Sequence, residues 1–432
     1  MTHLILVSLA SASEVIVGSY GRVQASADLD GGQAEPVNVV AHGSRLEEDP
    51  YAELDLGWQM QTEDGARFRA LVTPAIAGKL FHYDGEFDVD LAVRNLYAEA
   101  RDFGVAGLGV WAGSRMYRGD DVYLLDFWPL DALNTVGGGV SWQYGPGEVA
   151  AHVGLNRLTG EDWQYQQRQQ TLPGGVGGEW VTNLDRQRVV ASLKARHTFT
   201  HVRPTLYGEW HTLPGGTRID DDDLAEALPA ETGWLAGAEV SVFGWVPESY
   251  VHVFYRHATG IAATGELTVP TDGFATDLSV KAAHEDLVAL AGDHEGGLWS
   301  VSGGAYMRFW RDGDGEVSDP DDGSEWIVAV RPSVYPTSHF AIGVEASRQW
   351  AWREGLDPRT QVQEPASVTK LSLIPAIQPA RGAFARPQVR LQYTASFLDE
   401  GALGFSPEDD DRKVRHFVGI GAEWWLDSQS YR

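Results

Sequence analysis

Residues 414–424 read Val414-Arg415-His416-Phe417-Val418-Gly419-Ile420-Gly421-Ala422-Glu423-Trp424. In an extended chain side chains alternate between faces. Val414, His416, Val418, Ile420, Ala422 and Trp424 share one face, and Arg415, Phe417, Gly419, Gly421 and Glu423 the other. Three earlier stretches follow the same rule. Val389, Leu391, Tyr393, Ala395 and Phe397 alternate with Arg390, Gln392, Thr394 and Ser396. Phe340, Ile342, Val344 and Ala346 alternate with Ala341, Gly343, Glu345 and Ser347. Trp326, Val328, Val330 and Val334 alternate with Ile327, Ala329, Arg331 and Ser333. Each run has the length of about nine to eleven residues that a tilted strand needs to cross a bilayer. One face is nearly all apolar and the other is mostly Arg, Glu, Gln, Ser and Gly. A soluble sandwich reverses this, with a dry core between its sheets. The pattern predicts an all-β, transmembrane antiparallel β-barrel with lipid outside and water inside. Such a sheet must close, because an open edge in lipid leaves backbone groups unpaired.

Composition agrees. A soluble chain of 432 residues would form about two or three domains; one closed sheet absorbs that length in a single unit. Sixteen Trp and 49 Gly suit interface belts and tight turns. No apolar run of about 18 residues offers a membrane helix. The net charge of −28 argues against a nucleic-acid partner, since phosphates would be repelled. The acid concentrates in Asp220-Asp221-Asp222-Asp223, in Asp319 to Asp322 and in Glu408 to Asp411, as expected of external loops. Asp312-Gly313-Asp314-Gly315-Glu316 is not a complete calcium loop. Cysteine is absent, which removes disulfides and thiolate chemistry. Gly/Pro-rich segments such as Leu172-Pro173-Gly174-Gly175 and Leu213-Pro214-Gly215-Gly216 separate the runs.

Leu4 to Ala10 is apolar and Ser11-Ala12-Ser13 is small, as at the end of a signal peptide, although no charged n-region precedes them. Residues 1–13 are expected to be a signal-peptide remnant and residues 14–432 a single barrel domain. No Gly-x-Ser-x-Gly, His-Glu-x-x-His or P-loop is present, and the 13 His are scattered. The expectation is therefore a channel with no catalytic residue, metal or cofactor.

The segment 91–131 is the most specific. Trp111-Ala112-Gly113, Arg115, Tyr117, Asp121-Val122 and Asp126-Phe127 hold a pattern similar to that of the maltoporin family around its third loop. Tyr51-Ala52-Glu53-Leu54-Asp55-Leu56-Gly57, Arg331-Pro332, Phe384-Ala385-Arg386-Pro387 and Gly421-Ala422-Glu423-Trp424-Trp425 extend the resemblance over nearly the whole chain. It implies 18 strands, a third loop folded into the pore, a homotrimer, and a location in the outer membrane of a Gram-negative bacterium. The implied substrate is maltose, malto-oligosaccharides or related glycosides. The implied aromatic slide is Tyr20, Tyr51, Phe384 and Trp425, with Trp128 at the position of the constricting tyrosine. The implied polar track is Arg22, Arg45, Glu53, Arg94, Asp121 and Asp126. Phe81, Tyr83 or Phe87 of the second loop would reach a neighbouring subunit. Strand parity agrees independently: Tyr20 shares a face with Arg22, Tyr51 with Glu53, Phe384 with Arg386 and Trp425 with Glu423. Three positions depart from the family. Gly119 replaces a basic track residue, Tyr123 a histidine, and Ala236 a slide aromatic. The competing readings are a general diffusion porin of similar barrel and, more distantly, a barrel enzyme.

Overall fold

The computed structural model describes residues 12–32, 34–78, 90–156, 167–171, 180–184, 186–219, 225–263, 275–314, 322–355, 363–406 and 410–428. Eighteen strands form one sheet. They are β1 (Ala12–Ala27), β2 (Tyr51–Gln61), β3 (Arg67–Ala77), β4 (Asp90–Arg101), β5 (Leu108–Met116), β6 (Asn134–Tyr144), β7 (Gly147–Asn156), β8 (Arg188–His197) and β9 (Val202–Leu213). The second half comprises β10 (Glu231–Phe243), β11 (Tyr250–Gly260), β12 (His284–Glu295), β13 (Trp299–Arg311), β14 (Gly323–Val334), β15 (Phe340–Arg353), β16 (Ala366–Ile377), β17 (Gln388–Leu398) and β18 (Val414–Leu426). Each strand pairs antiparallel with its neighbour in sequence, and β18 pairs back onto β1 from Ser19↔Leu426 to Ala27↔Val418. The barrel is closed, so no strand presents an open edge to lipid. Two small hairpins, Gln167–Thr171 with Trp180–Leu184 and Gly216–Ile219 with Ala225–Leu228, stand apart from it.

Even-numbered strands end in turns, as short as Gly145-Pro146, and odd-numbered strands in longer connections such as residues 28–50 (first loop), 78–89 (second) and 117–133 (third). This asymmetry between the two ends is that of outer-membrane barrels. Several sequence expectations lie outside the described residues: residues 1–11, the second-loop aromatics Phe81, Tyr83 and Phe87, Asp220 to Asp223, Asp319 to Asp321, and Glu408 with Asp409. Ala12 and Ser13, placed with the leader on sequence, pair in β1 with Gln61 and Met60.

The faces fall as the alternation predicts. Val328, Val330, Val344, Val389, Leu391, Val418 and Ile420 are exposed on the outer wall. Arg331, Glu345, Arg390 and Glu423 point inward and pair there, Arg331 with Glu345 at 2.6 Å and Arg390 with Glu423 at 3.3 Å. The inner face is not uniformly wet, however. On β10 to β14 it carries Leu235, Phe254, Leu287, Ala289, Ala291, Ile327 and Ala329, which pack with Val122, Leu124, Leu125 and Phe127 of the third loop and with Val37, Val39 and Val40 of the first. Both loops are folded into the cylinder. Apolar wall positions occur where a loop covers them, which removes their surface from lumen water. Small residues admit that approach. A Cβ on Gly304 would lie 2.8 Å from Val122 Cγ1, and one on Gly237 would lie 2.4 Å from Leu130 Cδ2.

The wall also satisfies the loops' polar groups, as buried backbone requires. In the first loop, Val39 N–H donates to Gln349 at 3.0 Å, Ala41 N–H to Glu325 at 3.2 Å and His42 N–H to Tyr306 Oη at 3.1 Å. Lys370 holds Glu47 at 2.5 Å, and Gln392 donates to the Leu46 carbonyl at 2.9 Å. The third loop begins as a narrow ladder, Tyr117 N–H to Leu133 O at 2.6 Å and Gly119 N–H to Asp131 O at 2.8 Å. Lys194 anchors Asp131 at 2.7 Å, and Arg256 donates to the Pro129 carbonyl at 2.8 Å.

Candidate functional site

The infolded loops leave a cavity of about 480 Å³ against the inner wall near β1 and β18. Seven of the expected site residues line it: Tyr20, Arg45, Asp121, Asp126, Trp128, Phe384 and Trp425. The other four border it. The Tyr51 ring lies 5.9 Å from that of Tyr20, and Arg22 donates to Asp126 at 2.9 Å. Arg94 donates to Tyr51 Oη at 2.8 Å and lies 3.4 Å from Glu53, to which the Tyr51 hydroxyl also donates.

Different elements deliver these side chains. Parity on β1 turns Tyr20 and Arg22 inward, and register sets Tyr20 opposite both Glu53 and Trp425. Arg45 sits on a short 3₁₀ turn, Arg45–Glu47, of the first loop. Asp121, Asp126 and Trp128 come from the third loop, where a second turn, Tyr123–Leu125, ends at Asp126 with φ +48°. Arg94 arrives by a bulge. β3 and β4 pair Thr73 with Asn95 and Pro74 with Val93, so Arg94 is the unmatched residue. Strict alternation with Leu96 and Ala98 would aim Arg94 at lipid; the bulge turns it inward beside Asn95.

Two sequence expectations, on Phe384 and Ala236, are corrected in detail. Phe384 is not on a strand, because β16 ends at Ile377 and β17 begins at Gln388. It reaches the cavity from the infolded turn between them, and the parity argument did not apply to it. Ala236 faces outward beside the exposed Trp234, so no slide position exists there; its inward neighbour Leu235 is buried under the third loop. Trp128 is buried, with the Arg118 guanidinium 3.5 Å above its ring.

The ring at the centre is Tyr123, which the sequence reading noted only as a departure. It lies 5.0 Å from Phe384 and 6.1 Å from Trp425, under the Arg45 guanidinium at 4.3 Å. Phe384 continues to Tyr250 at 6.1 Å and to Trp425 at 6.4 Å. Tyr20, Tyr123 and Trp128 are buried, whereas Tyr51, Phe384 and Trp425 remain partly exposed. Arg386 lies within the Phe384-Ala385-Arg386-Pro387 stretch but was not named for the site, and Tyr250, at the start of β11, meets Phe384 only through the fold of the turn.

Charge is divided across the constriction. Glu423 is met by Arg45 at 2.6 Å, Arg386 at 2.8 Å and Arg390 at 3.3 Å, one carboxylate among three guanidiniums. The third loop contributes Asp120, Asp121 and Asp126. Asp126 is shared by Arg22 at 2.9 Å and Arg45 at 3.8 Å. Asp120 pairs with Arg203, which also lies 3.8 Å from Glu239. Asp120, Glu239 and His252 bring potential ligand atoms within 4.8 Å of one another; Arg203 already supplies the cation at that point. Asp121 has no ion-pair partner within 4.0 Å among the described residues. Burial pushes its carboxyl up, Arg45 pulls it partly back, and Asp126 and Asp120 add to the rise, leaving it at about 6. A raised value means that the charge is present above about pH 6 and lost below it. Cation preference, read from the reversal potential in a salt gradient, is therefore expected to fall as pH drops from 7 to 5. Asp121→Asn should show the low value at both ends, and an unchanged wild-type potential would refute the assignment.

Fixed donors and acceptors facing partly exposed rings suit a ligand with apolar faces and a hydroxyl rim. No curated protein matches the chain by sequence. Among solved structures, it resembles OccD3 (OpdP) of Pseudomonas aeruginosa at 11% identity, covering 95% of this chain and 91% of that one, with a TM-score of 0.48. It resembles the trimer form of OmpT of Vibrio cholerae at 12% identity, covering 96% and 100%, with a TM-score of 0.46. The family model for the LamB porin matches residues 16–425, which run from β1 to β18. The chain thus belongs to the LamB porin (maltoporin) family, and it is an outer-membrane channel and not an enzyme.

Proposed function

We propose that this porin passes maltose, malto-oligosaccharides or related neutral glycosides by passive diffusion, as a homotrimer. The observation that carries the reading is the run of part-exposed rings, Tyr51, Phe384 and Trp425, beside a cavity of about 480 Å³ that also holds fixed acids and Arg45. A pyranose stacks its C–H faces on the rings while its hydroxyls exchange hydrogen bonds with the charged groups. Several weak overlapping contacts let a chain slide without becoming trapped. Family membership supports both the sugar and the threefold assembly.

Planar-bilayer recording tests both. Insertions should conduct in groups of three equal steps, and maltohexaose should block them in a saturable, concentration-dependent way. The second reading, a general cation-preferring pore, draws on the unpaired Asp121. Ohmic conductance with no block by maltohexaose or any other oligosaccharide would favour it and reject the sugar slide.

A further inference from the structure

The outer wall of the described strands is mostly apolar; the His257–Asp286 pair of β11 and β12 is one polar exception, and an arginine of β15 is another. Arg348 is an even-numbered residue of β15, on the same face as Val344 and Ala346, and it is exposed. Its guanidinium is held in place by two hydroxyls of β16, with Nη1 donating to Thr369 at 2.6 Å and Nη2 to Ser367 at 2.9 Å. No carboxylate lies within 4.0 Å of it among the described residues. The nearest acid in this network, Asp399, is taken up by Ser367. The surroundings are lipid-facing: Val328 opposite on β14, and Leu371 and Phe397 on β16 and β17, all exposed. One outward position further along β15, Trp350 stacks on Trp326 with centroids 6.3 Å apart, a pair suited to the aromatic girdle. β15 runs toward the long-loop end, so Arg348 sits at the top of the outer leaflet, just beneath that girdle.

A guanidinium facing hydrocarbon without a counter-charge is unfavourable, and a long side chain relieves this by reaching toward the interface. Here two hydroxyls aim it and leave its remaining N–H donors without an acceptor among the described residues. We propose that Arg348, set by Thr369 and Ser367, is a binding site for a phosphate of an outer-leaflet glycolipid, the phosphorylated glucosamine disaccharide that anchors lipopolysaccharide. The guanidinium fork matches phosphate geometry, and the flanking Trp350 and Trp326 rings cover the junction of sugar headgroup and acyl chain. This site lies on the outside of the barrel and stands whether or not the pore carries sugar.

The test uses the purified full-length porin in detergent, titrated with bisphosphorylated lipid A and followed by native mass spectrometry. Wild type should retain the lipid, and Arg348→Leu should retain it about five-fold more weakly, the size of one surface cation against an anionic headgroup. Arg348→Lys should fall between them, because it keeps the charge and loses the fork. Lipid A stripped of its phosphates should bind wild type as weakly as bisphosphorylated lipid A binds Arg348→Leu. The substitution removes a charge from a lipid-facing position, so folding should survive, with maltohexaose behaviour in bilayers unchanged. Equal retention by wild type and Arg348→Leu, or no loss on removing the phosphates, would overturn the proposal.

Discussion

Trp425→Ala is expected to weaken maltohexaose block in planar bilayers by about ten-fold, while the open channel conducts at least as well as wild type. In the proposed slide Trp425 is the coupling ring. It stands opposite Tyr20 in the β1–β18 register and contacts Phe384 at 6.4 Å and Tyr123 at 6.1 Å. Removing it opens the lumen and takes away one stacking face. A ten-fold change corresponds to about 1.4 kcal/mol, ordinary for truncating an aromatic anchor in a binding site. Trp425→Phe should retain most of the block, since a ring remains. Phe384→Ala should act in the same direction. A full-strength block in both alanine variants would show that these rings do not carry the sugar.

Glu423→Ala should be the most damaging single substitution at the constriction. The carboxylate is 1% exposed and faces Arg45, Arg386 and Arg390. Breaking a buried ionic cluster by removing one partner costs about 3–5 kcal/mol, because the remaining charges stay buried without compensation. The guanidiniums also position other groups. Arg45 lies over the Tyr123 ring, and Arg386 donates to the Tyr123 hydroxyl. Thermal unfolding of the purified porin should therefore shift downward, and surviving channels should move toward anion preference, because one negative charge is lost beside three positive ones. Glu423→Gln keeps the volume and should show the same selectivity shift with a smaller loss of stability. An unchanged reversal potential in both variants would mean that the lumen does not sense this cluster.

Much of the molecule was legible in its residues. The alternation at residues 389–397 and 414–424 is a period-two signal that survives any packing, because a strand with one wet and one lipid-facing side has no alternative arrangement. It correctly orients Arg331, Glu345, Arg390 and Glu423. The strand number and the infolding of the third loop came from the family resemblance and not from the pattern. Seven of the eleven residues named for the site line one cavity, and the other four touch its border.

The positions that strand parity does not explain share one cause, which is that alternation holds only where the chain is a regular strand. Arg94 reaches the lumen because a bulge shifts the parity of β4 at that residue. Phe384 and Arg386 reach it from a turn that folds inward, and Tyr123 reaches the centre from a loop whose own sequence does not state which wall it will meet. The apolar patch on the inside of β10 to β14 reads as a defect in the porin pattern until the first and third loops are seen covering it. The sequence by itself determined the sheet, its closure and which side of each strand is wet, since those follow from local period and from the cost of unpaired backbone in lipid. Only the tertiary structure decided the shape of the constriction. That depends on contacts between residues as far apart as Arg45 and Glu423, or Ser44 and Glu345, and no local pattern encodes such pairs.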